Sequence, residues 1–164
     1  MTARIKPITR TQKRVAALLV LGLVQDDIAA KMNVGPDTVK AHMRDMRKRL
    51  ACPPGCDRRV LVHALLTHGQ VDSPPLPSNT ATIRVSPADR LLWRALAAHS
   101  RAEDIALAAR ISHHSLRERT ASLRQMVGAL DNTHLVALGH TLHVFDDEPP
   151  AGASRPAGPR GGTA

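Results

Sequence analysis

Lys40, Arg44, Arg47 and Lys48 lie within one short stretch, VGPDTVKAHMRDMRKRL at 34–50. On a helix, residues three or four apart share a face, so much of this positive charge would project together. Such side chains are donor-only groups, suited to phosphate oxygens and to the O6 and N7 acceptors of guanine. A second stretch, ISHHSLRERTASLRQMV at 111–127, aligns without a gap 77 positions later and offers Arg117, Arg119 and Arg124. Metal chemistry is the competing reading of one neighbouring set. Cys52, Cys56, His63 and His68 form C-x3-C-x6-H-x4-H, whose residue types suit tetrahedral zinc, but the central gap is shorter than in zinc fingers. Burial of the two cysteines as small apolar residues is the better expectation, with no metal ligand and no cofactor. The nine histidines fall into no Ser-His-Asp, paired-carboxylate or hydrolase spacing, and no Gly-rich phosphate loop is present. No catalytic residue and no enzymatic activity are expected.

The distribution of charge agrees with a polyanionic partner. Residues 1–70 hold 13 Lys and Arg against 5 Asp and Glu, residues 71–148 hold 8 against 9, and the remainder 2 against none. Almost all of the net +9 therefore lies in the first half, with every lysine. A concentrated basic excess is the footprint of nucleic-acid binding, although solvated basic faces also produce it.

The elements that must position these groups are helical. Trp93 and Phe145 are the only aromatic residues, so the core is aliphatic, and the chain is rich in the good helix formers Ala, Leu and Arg. An all-α protein follows. VAALLVLGLVQ, from Val15, is about half the length of a membrane span, and the two cysteines are too few for a disulfide framework. No membrane association and a reducing, cytoplasmic location are expected. VDSPPLPSNTATIRV at 71–85 has the prolines and small polar residues of an extended linker with flexible spacing, and EPPAGASRPAGPRGGTA at the end reads as disordered. The organisation expected is a module at 7–70, a linker at 71–83, a second module at 84–145 and a tail at 146–164.

Each module reads as four helices. The first begins at Thr9, with Gln12 completing a capping box; its counterpart begins at Ser86, with Pro87 and Asp89 following. Val15, Leu18, Leu19 and Leu21 form the apolar face of the first helix, which Gly22 ends. A short second helix at 25–32 leads to Asn33, a residue that tolerates left-handed backbone. The third begins near Gly35 and Pro36, and Val39, Met43, Met46 and Leu50 mark its buried face. The repeat at an offset of 77 pairs Asp27-Ile28-Ala29 with Asp104-Ile105-Ala106 and Arg47 with Arg124. After an extra Pro-Pro-Gly in the first copy, Leu61-Val62 matches Leu135-Val136. Short helix, tight turn and basic helix form the pattern of a helix-turn-helix.

With TVKAH at 38–42, GLVQDDIAAKMNV, and Arg58-Arg59 before the fourth helix, the first module resembles the LuxR-type helix-turn-helix shared with NarL, FixJ and GerE-like regulators. The resemblance implies a bacterial transcriptional regulator reading double-stranded DNA with the helix at 35–50 in the major groove. It places Lys40, Ala41 and Arg44 against base edges and Thr38, Arg47 and Lys48 against phosphates. Val24 stands at the usual Ser or Thr cap of the second helix and Gln12 at a usual Glu, two changes that weaken capping. The second module departs further: SLRER replaces TVKAH, Glu118 replaces Ala41, Ala121 replaces Arg44, and Arg110 occupies the turn position of Asn33. It is expected to be either a weaker DNA reader through Arg117, Arg119 and Arg124 or a dimerisation or partner surface. The alternative for the whole chain is an interaction module that binds RNA polymerase or another regulator with little affinity for naked DNA; a homodimer is a further expectation. A zinc-dependent structural module is the third reading.

Overall fold

The computed structural model describes residues 4–78 and 82–146, and eight α-helices with no strand occur among them. In chain order these are α1 (Arg10–Val20), α2 (Gln25–Met32), α3 (Pro36–Arg49), α4 (Arg58–Thr67), α5 (Pro87–Ala98), α6 (Ala102–Ala109), α7 (His113–Val127) and α8 (Asn132–Thr141). Local sequence accounts for most of the boundaries. Thr9 and Gln12 make a reciprocal capping box at α1, with the Thr9 hydroxyl accepting from the Gln12 amide and the Gln12 side chain accepting from Thr9 N–H at 2.9 Å. Gln12 thus caps fully, contrary to the weakening expected of it, because an amide oxygen accepts from the backbone as a carboxylate does. Val24 leaves α2 without a side-chain cap. Asp57, Ser86, Ser112 and Asp131 cap α4, α5, α7 and α8 through their side-chain oxygens.

The caps of α1 and α5, Thr9 and Ser86, stand 77 positions apart, and so do the left-handed residues that end α2 and α6, Asn33 (φ 55°) and Arg110 (φ 55°). The caps of α4 and α8, Asp57 and Asp131, are only 74 apart; the loop through Pro53 and Gly55 takes up the difference.

One hydrophobic cluster runs through the described residues, drawing on Val15, Leu19, Ile28, Met46, Leu61 and Leu65 from the first half and Leu92, Trp93, Leu123, Leu135 and Leu138 from the second. Leu21 does not join it: it is the C-cap residue of α1, just past the buried Leu19 and Val20, and is 39% exposed. Helix α4 packs along α8, and α1 and α5 flank that pair. Polar contacts join the start of α4 to the turn between α5 and α6. Asp57 N–H donates to Ser100 Oγ at 3.0 Å, and the Arg59 guanidinium bonds both Asp57 and the Ser100 carbonyl.

The segment expected to be a flexible spacer is docked over its first part. Pro74 is buried, Val71 and Leu76 lie against the core, and Thr141 Oγ1 donates to the Pro74 carbonyl at 2.6 Å. Proline has no N–H to leave unsatisfied, so this stretch buries without forming secondary structure. The disordered tail expected from residue 146 lies, from 147 onward, outside the described residues.

Gly139 shows how close the packing is. A Cβ there would sit 2.7 Å from Trp93 Nε1 and 2.7 Å from Phe145 Cε2, and Trp93, fully buried, is held by donation of its indole N–H to the Leu135 carbonyl at 2.7 Å. Gly139→Ala is expected to destabilise the fold by about 1 to 3 kcal/mol through overpacking, read as a fall in the urea midpoint without a change in slope.

The α4/α8 seam also carries a titratable pair. His63 Nδ1 and His140 Nε2 are 2.9 Å apart, with Phe145 packed on both rings. Burial lowers both pKa values, and His140, with His63 beside it, falls to about 4 against a weaker opposing pull from Asp146. His68 adds a smaller lowering at His63. The folded state therefore binds fewer protons than the unfolded chain between about pH 4 and the ordinary histidine value of about 6.5. Stability is full above that window and is lost as pH falls through it. Tm is expected to drop between about pH 7.5 and pH 5, and His140→Leu is expected to flatten the dependence.

Candidate nucleic-acid interface

Helix α2 ends on Asn33, whose left-handed backbone turns the chain so that Val34 N–H donates to the Ala29 carbonyl at 3.0 Å. Gly35 is the N-cap of α3 and Pro36 its first residue; Pro there forfeits only an N–H that no helical carbonyl would accept. Gln25 Nε2 donates to the Pro36 carbonyl at 2.9 Å and ties the starts of α2 and α3 together. Val39, Met43, Met46 and Leu50 are buried, which fixes the rotation of α3 on the body. A further clamp comes from Asp45, which accepts from the Gln12 side chain and from Arg49 Nε at 3.0 Å. Those two bonds hold the Asp45 carboxyl below its usual pKa. Arg49 also donates to the Pro7 carbonyl at 2.9 Å, so this arginine serves the fold.

With that rotation set, Thr38, Lys40, Arg44 and Lys48 are exposed, and Ala41 is half-buried between them. Lys40, Arg44 and Lys48 follow at intervals of four and form one stripe along the helix. None of the three forms an ion pair among the described residues. Arg47 is half-buried, with its Nε enclosed and unpartnered. Asp37, in the first turn, is the acidic residue on this side of α3.

Helix α7 distributes its cations differently. Arg119 turns to the flank and lies 3.9 Å from Asp89 at the start of α5. Arg117 and Arg124 line a cleft of about 830 Å³ that also takes in the start of α4. The three arginines named from sequence are therefore not brought onto one face. Arg117 and Ala121, at the positions of Lys40 and Arg44, both line this cleft, and Glu118, at the position of Ala41, is exposed beside them. Arg58, Thr120 and Asn132 join Arg117 and Arg124 in the cleft. No local pattern marks these three as a group, since they come from α4, α7 and α8.

Cys52 and Cys56 sit together, and burial with the neighbouring thiol pushes Cys52 up to about 11. His63 faces His140 rather than the cysteines, and no group of three or more His, Cys, Asp or Glu side chains is placed for a metal among the described residues. Among those residues no helix is long and apolar enough to cross a membrane.

Helices α1 to α4, with a left-handed turn between α2 and a basic, outward-facing α3, define a helix-turn-helix. The family model GerE, bacterial regulatory proteins of the luxR family, matches residues 6–62, from the segment before α1 into α4. Helices α5 to α8 lie outside that match. No curated protein and no solved structure matches the chain.

Proposed function

We propose that this chain is a sequence-specific, DNA-binding transcriptional regulator of bacterial, cytoplasmic type, without enzymatic activity, in which α3 enters the major groove. The observation that carries this reading is the exposed, ion-pair-free stripe of Lys40, Arg44 and Lys48 on the second helix of a helix-turn-helix within a luxR-family match. Lys40, Ala41 and Arg44 face base edges: the two cations donate to guanine acceptors and the small alanine allows close approach. Thr38 and Lys48, with the free end of Arg47, hold phosphates.

In this reading residues 7–70 and 84–145 are tandem copies of one module, joined through 71–83. The second copy serves as an internal pairing surface rather than a second reader. Glu118 in place of Ala41 would repel phosphates, Ala121 has lost the cation of Arg44, and α8 covers α4 within one chain. That packing supplies the contact for which a homodimer would otherwise be needed. Selection of bound duplexes from a random pool at physiological salt tests the proposal. Enrichment of one short motif supports it, and two spaced half-sites would assign reading to α7 as well. No enrichment, with only weak and steeply salt-dependent binding, would favour a module that docks on RNA polymerase or another regulator.

A further inference from the structure

The cleft of about 830 Å³ beside α7 is large enough for a nucleotide-sized molecule. Its walls come from both halves of the chain: the start of α4 on one side, and α7 with the starts of α6 and α8 on the other. Arg58, Arg117 and Arg124 line it, and none of them forms an ion pair among the described residues. Two carboxylates, Asp57 and Asp131, also line the cleft, and each already accepts hydrogen bonds from the protein. Asp57 caps α4 and holds Arg59, and Asp131 accepts from His134 N–H at 2.7 Å.

A second observation points to a ligand. Thr120 is 6% exposed, yet its Oγ1 has no hydrogen-bond partner, and the enclosed Oδ1 of Asn132 has none either. Both residues line the same cleft. An enclosed polar atom left unpaired is costly, and it becomes favourable when a bound group supplies the bond. Neither atom has surface open to the cleft as the side chains stand. A ligand meets them through a turn of each side chain, after which the Thr120 hydroxyl donates to an anionic oxygen and the Asn132 oxygen accepts from a hydroxyl or amine. Three guanidiniums, one hydroxyl donor and one amide acceptor select a group that is anionic at one end and carries donors at the other.

The geometry points to a binding site for a small phosphate ester bearing free hydroxyls, a sugar phosphate or nucleotide, held between the two halves of the chain. Arg117 and Arg124 grip the phosphate with Thr120, Asn132 accepts from the sugar, and Arg58 closes the cleft from α4. The site is separate from the α3 stripe, so this inference stands or falls independently of the DNA reading.

Titration calorimetry of the full chain with ribose 5-phosphate and with AMP tests it. Saturable binding of at least one probe, one per chain, is expected. Arg117→Ala and Arg124→Ala should each weaken it about tenfold or more, and Thr120→Val by about fivefold. Arg117 is exposed and Thr120→Val keeps the shape of the side chain, so both variants should retain the wild-type circular dichroism spectrum. Absence of saturable binding of both probes at millimolar concentration, or binding indifferent to Arg124→Ala and Thr120→Val, would overturn the assignment. So would competition in which a DNA duplex displaces the probe and the arginine variants lose DNA affinity to the same degree, since the cleft would then seat the DNA backbone.

Discussion

Replacing Arg44 or Lys40 with alanine is expected to remove about 1 to 3 kcal/mol of sequence-selective DNA affinity each, or roughly 5- to 150-fold in Kd. Both side chains are exposed and hold nothing in the fold, so stability should stay within about 0.5 kcal/mol of wild type. The informative comparison is with Lys48→Ala, a phosphate contact in the proposed mode. That change should weaken selected and unselected duplexes alike and make the salt dependence shallower by about one unit. Affinity would be measured by fluorescence anisotropy on the enriched duplex and on a scrambled one. If Arg44→Ala and Lys40→Ala leave the ratio between the two duplexes intact, α3 does not read bases in this protein.

Leu61→Ala is expected to destabilise the whole described fold by about 2 to 5 kcal/mol, a large share of the 5 to 15 kcal/mol typical of a domain. Leu61 is fully buried on α4, the helix that packs along α8, and belongs to the cluster that also holds Trp93. Trp93 is the sole tryptophan and lies on α5, so its fluorescence reports the second half while far-UV circular dichroism reports all eight helices. The shared core predicts that Leu61→Ala shifts both signals to the same lower denaturant midpoint. A Trp93 transition that stays at the wild-type midpoint while the helical signal splits in two would show that the halves fold separately.

Much of the helical framework was legible because it depends on local chemistry. A hydroxyl or carboxylate three residues before an amide caps a helix wherever the chain goes afterwards, which is why Thr9 and Ser86 marked the starts of α1 and α5. The turn at Asn33, the Pro36 start and the buried spacing of Val39, Met43, Met46 and Leu50 follow from backbone sterics and the 3.6-residue period. These features also determine which side of α3 is left outward. Sequence alone therefore carried the α3 stripe of Lys40, Arg44 and Lys48.

Only the tertiary structure decided where α7 points its arginines, because Arg119 meets Asp89 across 30 positions of chain while Arg117 and Arg124 share a cleft with Arg58. Likewise, the His63 and His140 pair depends on α4 meeting α8, and the segment that reads as a spacer is held where Thr141 of α8 bonds the buried Pro74. Periodicity specifies which face of a helix is apolar, but an apolar face does not name its partner, since hydrophobic burial is non-directional. The choice of partner rests on shape and packing between residues far apart in the chain, and in this protein that choice joins the two halves and builds the cleft between them.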